Sequence, residues 1–318
     1  MLTTPVLRAL RQKFPKAEIH VATRTEYAPL VFPSPWVNRV QALDRKGEKG
    51  FMTYLKGIRK EGYDLAVDLH ATLRSRMIAQ ASGAGKVLRY RKAALGRRAL
   101  VTFKAKKAFQ PKHVVDRYLE CLLPFGIEKP SRQPEIVLET REKTFGRQFL
   151  GEGSPFIALV PGAKHATKRW LKDGFVEVGK RLWQEDGISS AVIGGKEEKV
   201  LAGEVAEGIG EGARPAFDLT LRQMASVLAL CKAVVTNDSG PMHLATAVGK
   251  PVLALFGPTV EAFGFFPLGE RNVVLERDLP CRPCSLHGTE KCPEGHFKCM
   301  REITAGEVLG AVRGVLAR

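Results

Sequence analysis

Three glycine-bearing turns, each following a run of apolar residues, carry the side chains of this chain that can do chemistry. The sharpest is Val235-Thr236-Asn237-Asp238-Ser239-Gly240-Pro241-Met242-His243-Leu244. β-Branched residues give way to a polar turn, Ser239 or Gly240 can cap a helix, and Pro241 suits its first position. Such a helix start presents free N–H groups and the positive end of the helix dipole to the carboxyl edge of a sheet, where open α/β folds hold phosphates. Asp238 and His243 flank it. The same residue types also serve ordinary buried turns, so the motif needs support from its neighbours.

Two further turns offer that support. Val160-Pro161-Gly162-Ala163 is followed by Lys168-Arg169-Trp170, placing a cation where it can neutralise a diphosphate, or simply at a solvated helix start. Gly194-Gly195-Lys196-Glu197-Glu198 closes another apolar run. Either glutamate can accept hydrogen bonds from ribose or sugar hydroxyls, and either also suits a first helical turn on dipole grounds. Convergence of all three turns on one sheet edge is what would make them a site.

Cys281, Cys284, Cys292 and Cys299 cluster with His287 and His296 interleaved. Cys-x2-Cys is half a zinc knuckle, but the six residues between Cys292 and Cys299 space the second pair badly. A reduced loop packed by its own side chains outweighs a zinc site there, and no metal is assigned. Cys121 and Cys231 read as core. Gly83-Ala84-Gly85-Lys86-Val87 lacks the first glycine and the final Ser/Thr of a phosphate loop, and no Gly-x-Gly-x-x-Gly follows a strand. Neither a P-loop NTPase nor a dinucleotide oxidoreductase is supported.

The elements that position these residues follow from hydrophobic periodicity. Beyond residue 154, strands are predicted at 156–160, 191–193, 233–236 and 252–256, and helices at 172–184, 197–209, 221–230, 241–248 and 304–316. Thr304 and Glu307 form a capping box for the last helix. This alternation predicts an α/β fold with a parallel doubly wound sheet. The N-terminal half is less regular: a helix capped by Thr3 or Thr4, a strand at 19–22, a strand at 65–69 running into a helix to about 81, and an amphipathic helix over 113–125.

Length and charge bound the rest. With 318 residues, 44% of them hydrophobic and 26% charged, the chain is globular and long enough for two domains. Its net charge of +17 lies wholly in residues 1–150, which hold 30 Lys/Arg against 13 Asp/Glu, while residues 151–318 hold 20 of each. Between Asp68 and Asp116 there are 12 basic residues and no acid. An anionic partner for the first half is expected. Stacking aromatics interleave that run sparsely, Tyr90 and Phe103 among them, so no specific nucleic acid is expected. No apolar run reaches 18 residues, and Met1-Leu2-Thr3-Thr4-Pro5 does not resemble a secretory signal. The sequence therefore predicts a cytoplasmic protein with reduced cysteines.

The segment Thr236-Asn237-Asp238-Ser239-Gly240-Pro241-Met242-His243-Leu244-Ala245, continuing through Gly249-Lys250-Pro251-Val252 to Leu255-Phe256-Gly257-Pro258-Thr259, resembles the signature of glycosyltransferase family 9, the ADP-heptose:lipopolysaccharide heptosyltransferases. Pro161-Gly162-Ala163 with Thr167-Lys168-Arg169-Trp170 resembles the family's donor-phosphate segment in the form typical of heptosyltransferase II. The cysteine-rich segment and Leu2–Leu10 are also similar to family sequence. The resemblance covers nearly the whole chain.

It implies a GT-B fold: two Rossmann-like, doubly wound domains facing across a cleft, with an acceptor-binding domain over 1–150 and a nucleotide-sugar domain over 151–318. Lys168 would bind the donor phosphate, Glu198 the adenosine ribose, Asp238 the heptose hydroxyls, and the Ser239, Gly240, Met242, His243 turn the diphosphate. Arg74 and Ser75 are the expected acceptor contacts. The implied reaction is an inverting transfer of heptose from ADP-L-glycero-D-manno-heptose to a heptose of the lipopolysaccharide inner core, with no metal or other cofactor, at the anionic inner face of the cytoplasmic membrane of a Gram-negative-type bacterium. The alternatives are a related family 9 transferase with a different donor or acceptor and, from another class, a basic nucleic-acid- or zinc-binding protein. Two departures stand out. The family's first strand and its Gly-Asp turn, which carries the expected general base, would lie upstream of Met1, so the chain as written is expected to be impaired. Leu171 stands where the family usually has proline.

Overall fold

The computed structural model describes residues 1–44, 48–104, 112–151, 153 and 155–318. The chain divides into two compact units, one of Met1–Ala94 with Lys112–Val137 and one of Leu95–Pro111 with Leu138–Arg318. The division falls near residue 137 and not at 150, and the second unit takes in a segment from the basic run.

The second unit is built on six parallel strands, β5 (Phe156–Val160), β6 (Ser189–Gly194), β7 (Ala213–Phe217), β8 (Val234–Asn237), β9 (Val252–Phe256) and β10 (Val273–Glu276), in the order β10-β9-β8-β5-β6-β7. The order reverses between β5 and β8, the switch point at which ligands bind in such sheets. Val160 pairs with Thr236, so the turns after these two strands emerge side by side. β5, β6, β8 and β9 are almost wholly buried, which is why they read as continuous apolar runs. Ile157, Leu159, Val235 and Leu255 pack with Phe175, Val178, Ala202, Val205, Val308 and Val312. Those partners lie on helices α7 (Lys172–Asp186), α8 (Lys199–Ile209) and α12 (Ala305–Leu316). The Thr304–Glu307 capping box forms as expected.

Two edge strands escaped prediction for the same reason. β7 reads Ala-Arg-Pro-Ala-Phe, and a proline is tolerated because its missing N–H faces away from the sheet at an edge. β10 is short and only half-buried.

Helix α6 (Thr140–Leu150) assigns residues 138–150 to this unit. It packs on α9 (Leu221–Leu230), where Arg222 donates to Glu142 at 2.6 and 2.5 Å and Ser226 donates to the Glu142 carbonyl. A Cβ at Gly146 would collide with Ser226 and Leu230, so the glycine sets how closely the helices approach.

The first unit holds β1 (His20–Arg24), β2 (Arg39–Leu43), β3 (Leu65–Asp68) and β4 (Lys86–Arg89), with α1 (Thr4–Lys13), α2 (Glu48–Lys60), α3 (Leu73–Ala81) and α5 (Val114–Leu119). Among the described residues these strands form two separate parallel pairs, β1–β2 and β3–β4. At the N-cap of α1, Thr3 makes no side-chain cap bond. Thr4 instead accepts from the Glu135 N–H at 2.9 Å, and Arg8 donates to Glu135 at 2.8 Å and to the Gln133 carbonyl at 3.0 Å. The helix predicted over 113–125 is α only to Leu119 and continues as a 3-10 segment containing Pro124, a residue that removes an α-helical hydrogen bond. No helix among the described residues is long and apolar enough to cross a membrane.

Candidate active site at the carboxyl edge of the second sheet

Asn237, the last residue of β8, organises the edge. It is fully buried; its amide donates to the Pro161 carbonyl at 2.8 Å and the Gly162 carbonyl at 3.3 Å, and its Oδ1 accepts from the Trp170 N–H at 2.9 Å. One side chain thus ties the turn after β8 to both ends of the loop after β5. The Trp170 indole N–H is itself held by the Ile303 carbonyl at 3.0 Å.

Asp238 comes next. Its Oδ2 accepts from Lys168 Nζ at 2.6 Å and from Thr259 Oγ1 at 2.7 Å, and the lysine and aspartate side chains are only 15% and 12% exposed. Ser239 follows in extended conformation as N-cap of α10 (Gly240–Ala247), its hydroxyl making no cap bond. Gly240 is exposed, and a Cβ there would meet nothing within 4 Å. The amino end of α10 therefore opens onto free space with the lysine–carboxylate pair at its flank, a geometry that favours an anion.

The third turn arrives at the same place. The 3-10 segment Lys196–Glu198 leaves Glu197 exposed and turns Glu198 inward. A Cβ on Gly162 would lie 2.5 Å from the Glu198 Cγ, and one on Gly195 2.7 Å from its Oε2. Glu198, not Glu197, is the carboxylate at the edge, and two glycines make its room.

Other expected residues fall differently. Met242 is fully buried, so only its backbone can serve the turn; on a short helix between strands, a methionine packs inward. His243 lies half-buried one turn into α10. Arg169 turns back, donating to the Ala163 carbonyl at 2.8 Å. In the first unit, Ser75 is engaged in the cap of α3: its hydroxyl accepts from Thr72 N–H at 2.9 Å while its own N–H donates to Thr72 Oγ1 at 3.3 Å. Arg74 lies over the Phe51 ring, 5.1 Å from its centroid. Asp68 closes the preceding turn, accepting from the His70 and Ala71 N–H groups at 3.0 and 2.8 Å and from Arg89 at 3.0 Å. Burial pushes its pKa up, but these bonds prevail and hold it below the usual carboxylate range.

Residue patterns did not reveal that Thr259 holds Asp238 or that Arg282 holds the loop carrying Thr259. Arg282 is 1% exposed. It donates to the Thr259 carbonyl at 2.7 Å, to the Phe256 carbonyl at 3.4 Å, to those of Gly257 and Arg277, and pairs with Glu276 at 2.7 Å. The loop after β9 is thereby wrapped around one guanidinium, which sets Thr259 on Asp238. An arginine between two cysteines gives no sign of this, because arginine is seldom buried.

The cysteine segment serves as the wall of the edge. Thr167 and Thr289 exchange bonds, Thr167 N–H to the Thr289 carbonyl at 3.0 Å and Thr289 N–H to Thr167 Oγ1 at 2.7 Å. Cys284 Sγ donates to the Cys281 carbonyl at 3.2 Å, and Cys281 Sγ lies 3.9 Å from His296 Nε2. Burial, with Cys281 nearby, pushes the Cys284 thiol up to about 12. All six cysteines are free, and no group of three or more His, Cys, Asp or Glu among the described residues is arranged to hold a metal ion.

A doubly wound sheet of this strand order, accompanied by a second α/β unit, has the fold of the GT-B class of glycosyltransferases. The sequence profile of glycosyltransferase family 9 (heptosyltransferase) matches residues 52–295, and the chain belongs to that family. Relatives include lipopolysaccharide heptosyltransferase 2 of Escherichia coli, 26% identical over 340 aligned positions that cover 99% of this chain and 94% of that protein. Lipooligosaccharide heptosyltransferase 2 of Campylobacter jejuni is 27% identical over 217 residues, which span 66% of each chain and so slightly less than two thirds of that relative's length. Proteins named heptosyltransferase 1 and 3 match as well. The fold is shared with the crystal structure of a family 9 glycosyl transferase from Veillonella parvula, with a TM-score of 0.81 at 21% identity over 99% of this chain and 93% of the other.

Proposed function

We propose that the protein is an inverting heptosyltransferase that moves heptose from ADP-L-glycero-D-manno-heptose to a heptose of the lipopolysaccharide inner core. The observation that carries this reading is the Lys168–Asp238–Thr259 constellation beside the open amino end of α10. Lys168 is held by Asp238. A diphosphate seated on the backbone of Ser239 to His243 offers the lysine a stronger anion, and the exchange frees one lone pair of Asp238 for a sugar hydroxyl while Thr259 keeps the carboxylate in place. Glu198, lodged against Gly162, faces the ribose. The acceptor hydroxyl oxygen bonds to the anomeric carbon and its proton passes to water as the glycosidic C–O bond to the diphosphate breaks, and Lys168 and the helix dipole stabilise the leaving charge. No metal is required, because these groups supply the positive charge where it develops.

The first unit is the acceptor side. Its excess of basic residues suits the anionic core oligosaccharide and the anionic inner face of the cytoplasmic membrane, with Arg74 the leading acceptor contact and Ser75 shaping the helix start that presents it.

The test is transfer itself: purified protein, ADP-heptose and a heptose-bearing core acceptor should give a product heavier by one heptose in mass spectrometry, at a rate unchanged within about twofold by EDTA. Failure to bind any ADP-sugar in calorimetry would overturn the reading. A metal requirement restored by Mg²⁺ would overturn the charge assignment. Gly162→Ala adds a finer check. Its methyl group must displace Glu198, so adenosine and ADP should weaken together, by about tenfold; unchanged adenosine affinity would remove Glu198 from the ribose.

A further inference from the structure

Helix α4 (Ala94–Phe103) comes from the basic run of the N-terminal half, yet it packs within the second unit from Leu95 onward. Lys104, just beyond it, donates to the Cys281 and Pro283 carbonyls at 3.1 and 2.6 Å. The Arg97 guanidinium sits over the Phe265 ring, 5.5 Å from its centroid. Its Nε is buried with no hydrogen-bond acceptor, and no carboxylate among the described residues pairs with it. A buried guanidinium N–H without an acceptor is costly unless something else supplies one.

The surroundings indicate what supplies it. Gly288 adopts φ +93°, and a Cβ there would lie 2.8 Å from Lys168 Cγ and 2.9 Å from His165 Cβ, so the His287–Gly288 backbone rests on the stem of the site lysine. Burial lowers the pKa of His287, and the positive charges of Arg97, Lys168 and His165 lower it further, against the opposing pull of Asp238. Arg97, Lys168 and Asp238 thus all lie within electrostatic reach of His287. Of the carboxylates there, Asp238 is already engaged by Lys168 and Glu290 lies 3.7 Å from His165 Nδ1.

We propose that Arg97 is a second cationic ligand of the donor's diphosphate, brought to the nucleotide unit by a helix from the other half of the chain. The assignment rests on the nucleoside-diphosphate reading above. Lys168 meets the phosphates as a point charge; Arg97, held over the Phe265 ring, offers a planar fork of N–H donors suited to phosphate oxygens.

Calorimetry on the full chain with ADP, adenosine and inorganic pyrophosphate tests it. Arg97→Gln keeps the aliphatic stem and a polar end but removes the charged fork, and should weaken ADP and pyrophosphate by about tenfold to a hundredfold while leaving adenosine unchanged. Arg97→Lys, which keeps the charge, should hold ADP affinity within about fivefold. ADP affinity unchanged in Arg97→Gln overturns the assignment. So does an equal loss of adenosine, or a loss in Arg97→Lys as deep as in Arg97→Gln, since either outcome marks a packing role. Wild-type protein that binds no ADP overturns the donor reading, and this one with it.

Discussion

Lys168→Ala is expected to lower kcat/KM for sugar transfer by about 10²- to 10³-fold, the scale on which loss of one group that stabilises developing charge is felt. Lys168 Nζ stands 2.6 Å from Asp238 in a site where both side chains are mostly shielded from water, so its charge acts at reduced dielectric. The loss should fall more heavily on kcat than on KM, because the leaving diphosphate gains charge as the glycosidic bond breaks. Alanine also strips Asp238 of its cation, leaving only Thr259 to hold the carboxylate. In Lys168→Ala combined with Asp238→Asn, ADP affinity should therefore recover in part, since the uncompensated carboxylate no longer repels the phosphates. Steady-state kinetics with ADP-heptose provides the check. A Lys168→Ala enzyme within threefold of wild type would remove this lysine from the chemistry.

The second large effect is on stability. Asn237→Ala should destabilise the nucleotide unit by about 2–4 kcal/mol, because it leaves the Trp170 N–H and the Pro161 carbonyl without their partner inside the fold, each at about 1–3 kcal/mol. The carbonyl of Gly162 loses a longer bond of 3.3 Å. Asn237→Asp is no rescue: it keeps an acceptor for Trp170 but aims carboxylate oxygen at two carbonyls in a fully buried position. Urea unfolding followed by tryptophan fluorescence reads the change, Trp170 lying beside the substitution. A midpoint shift equivalent to less than about 0.5 kcal/mol would show that the turns after β5 and β8 are held together by something else.

Much of the nucleotide unit was legible in the residues. A strand buried on both faces of a parallel sheet has to be apolar along its length, so β5, β6, β8 and β9 announced themselves, and the turn chemistry after three of them marked one sheet edge. The capping box at Thr304 was equally plain, being a contact between residues three apart. The edge strand β7, with Pro215 and Arg214, carries no such signal because an edge makes fewer demands. Local pattern does not give the directions of the Met242 and Ser75 side chains. A methionine early in α10 and a serine at the start of α3 stand at positions that pattern can mark, but the direction each side chain takes is fixed by packing and capping.

What the amino-acid sequence determined by itself is the kind of site: a helix start, a lysine and two carboxylates at the carboxyl ends of parallel strands, which follows from local turn geometry and from the periodicity that builds the sheet. Which groups complete that site was decided only in three dimensions. Glu198, which only the family resemblance singled out from Glu197, turns into the space over Gly162, and Thr259 reaches Asp238 because Arg282 gathers the carbonyls of a distant loop. Arg97 leaves the basic half of the chain to join the second unit. These contacts join residues tens to hundreds of positions apart, and no local pattern encodes them, since their partners are set by how the helices and loops pack and not by spacing along the chain.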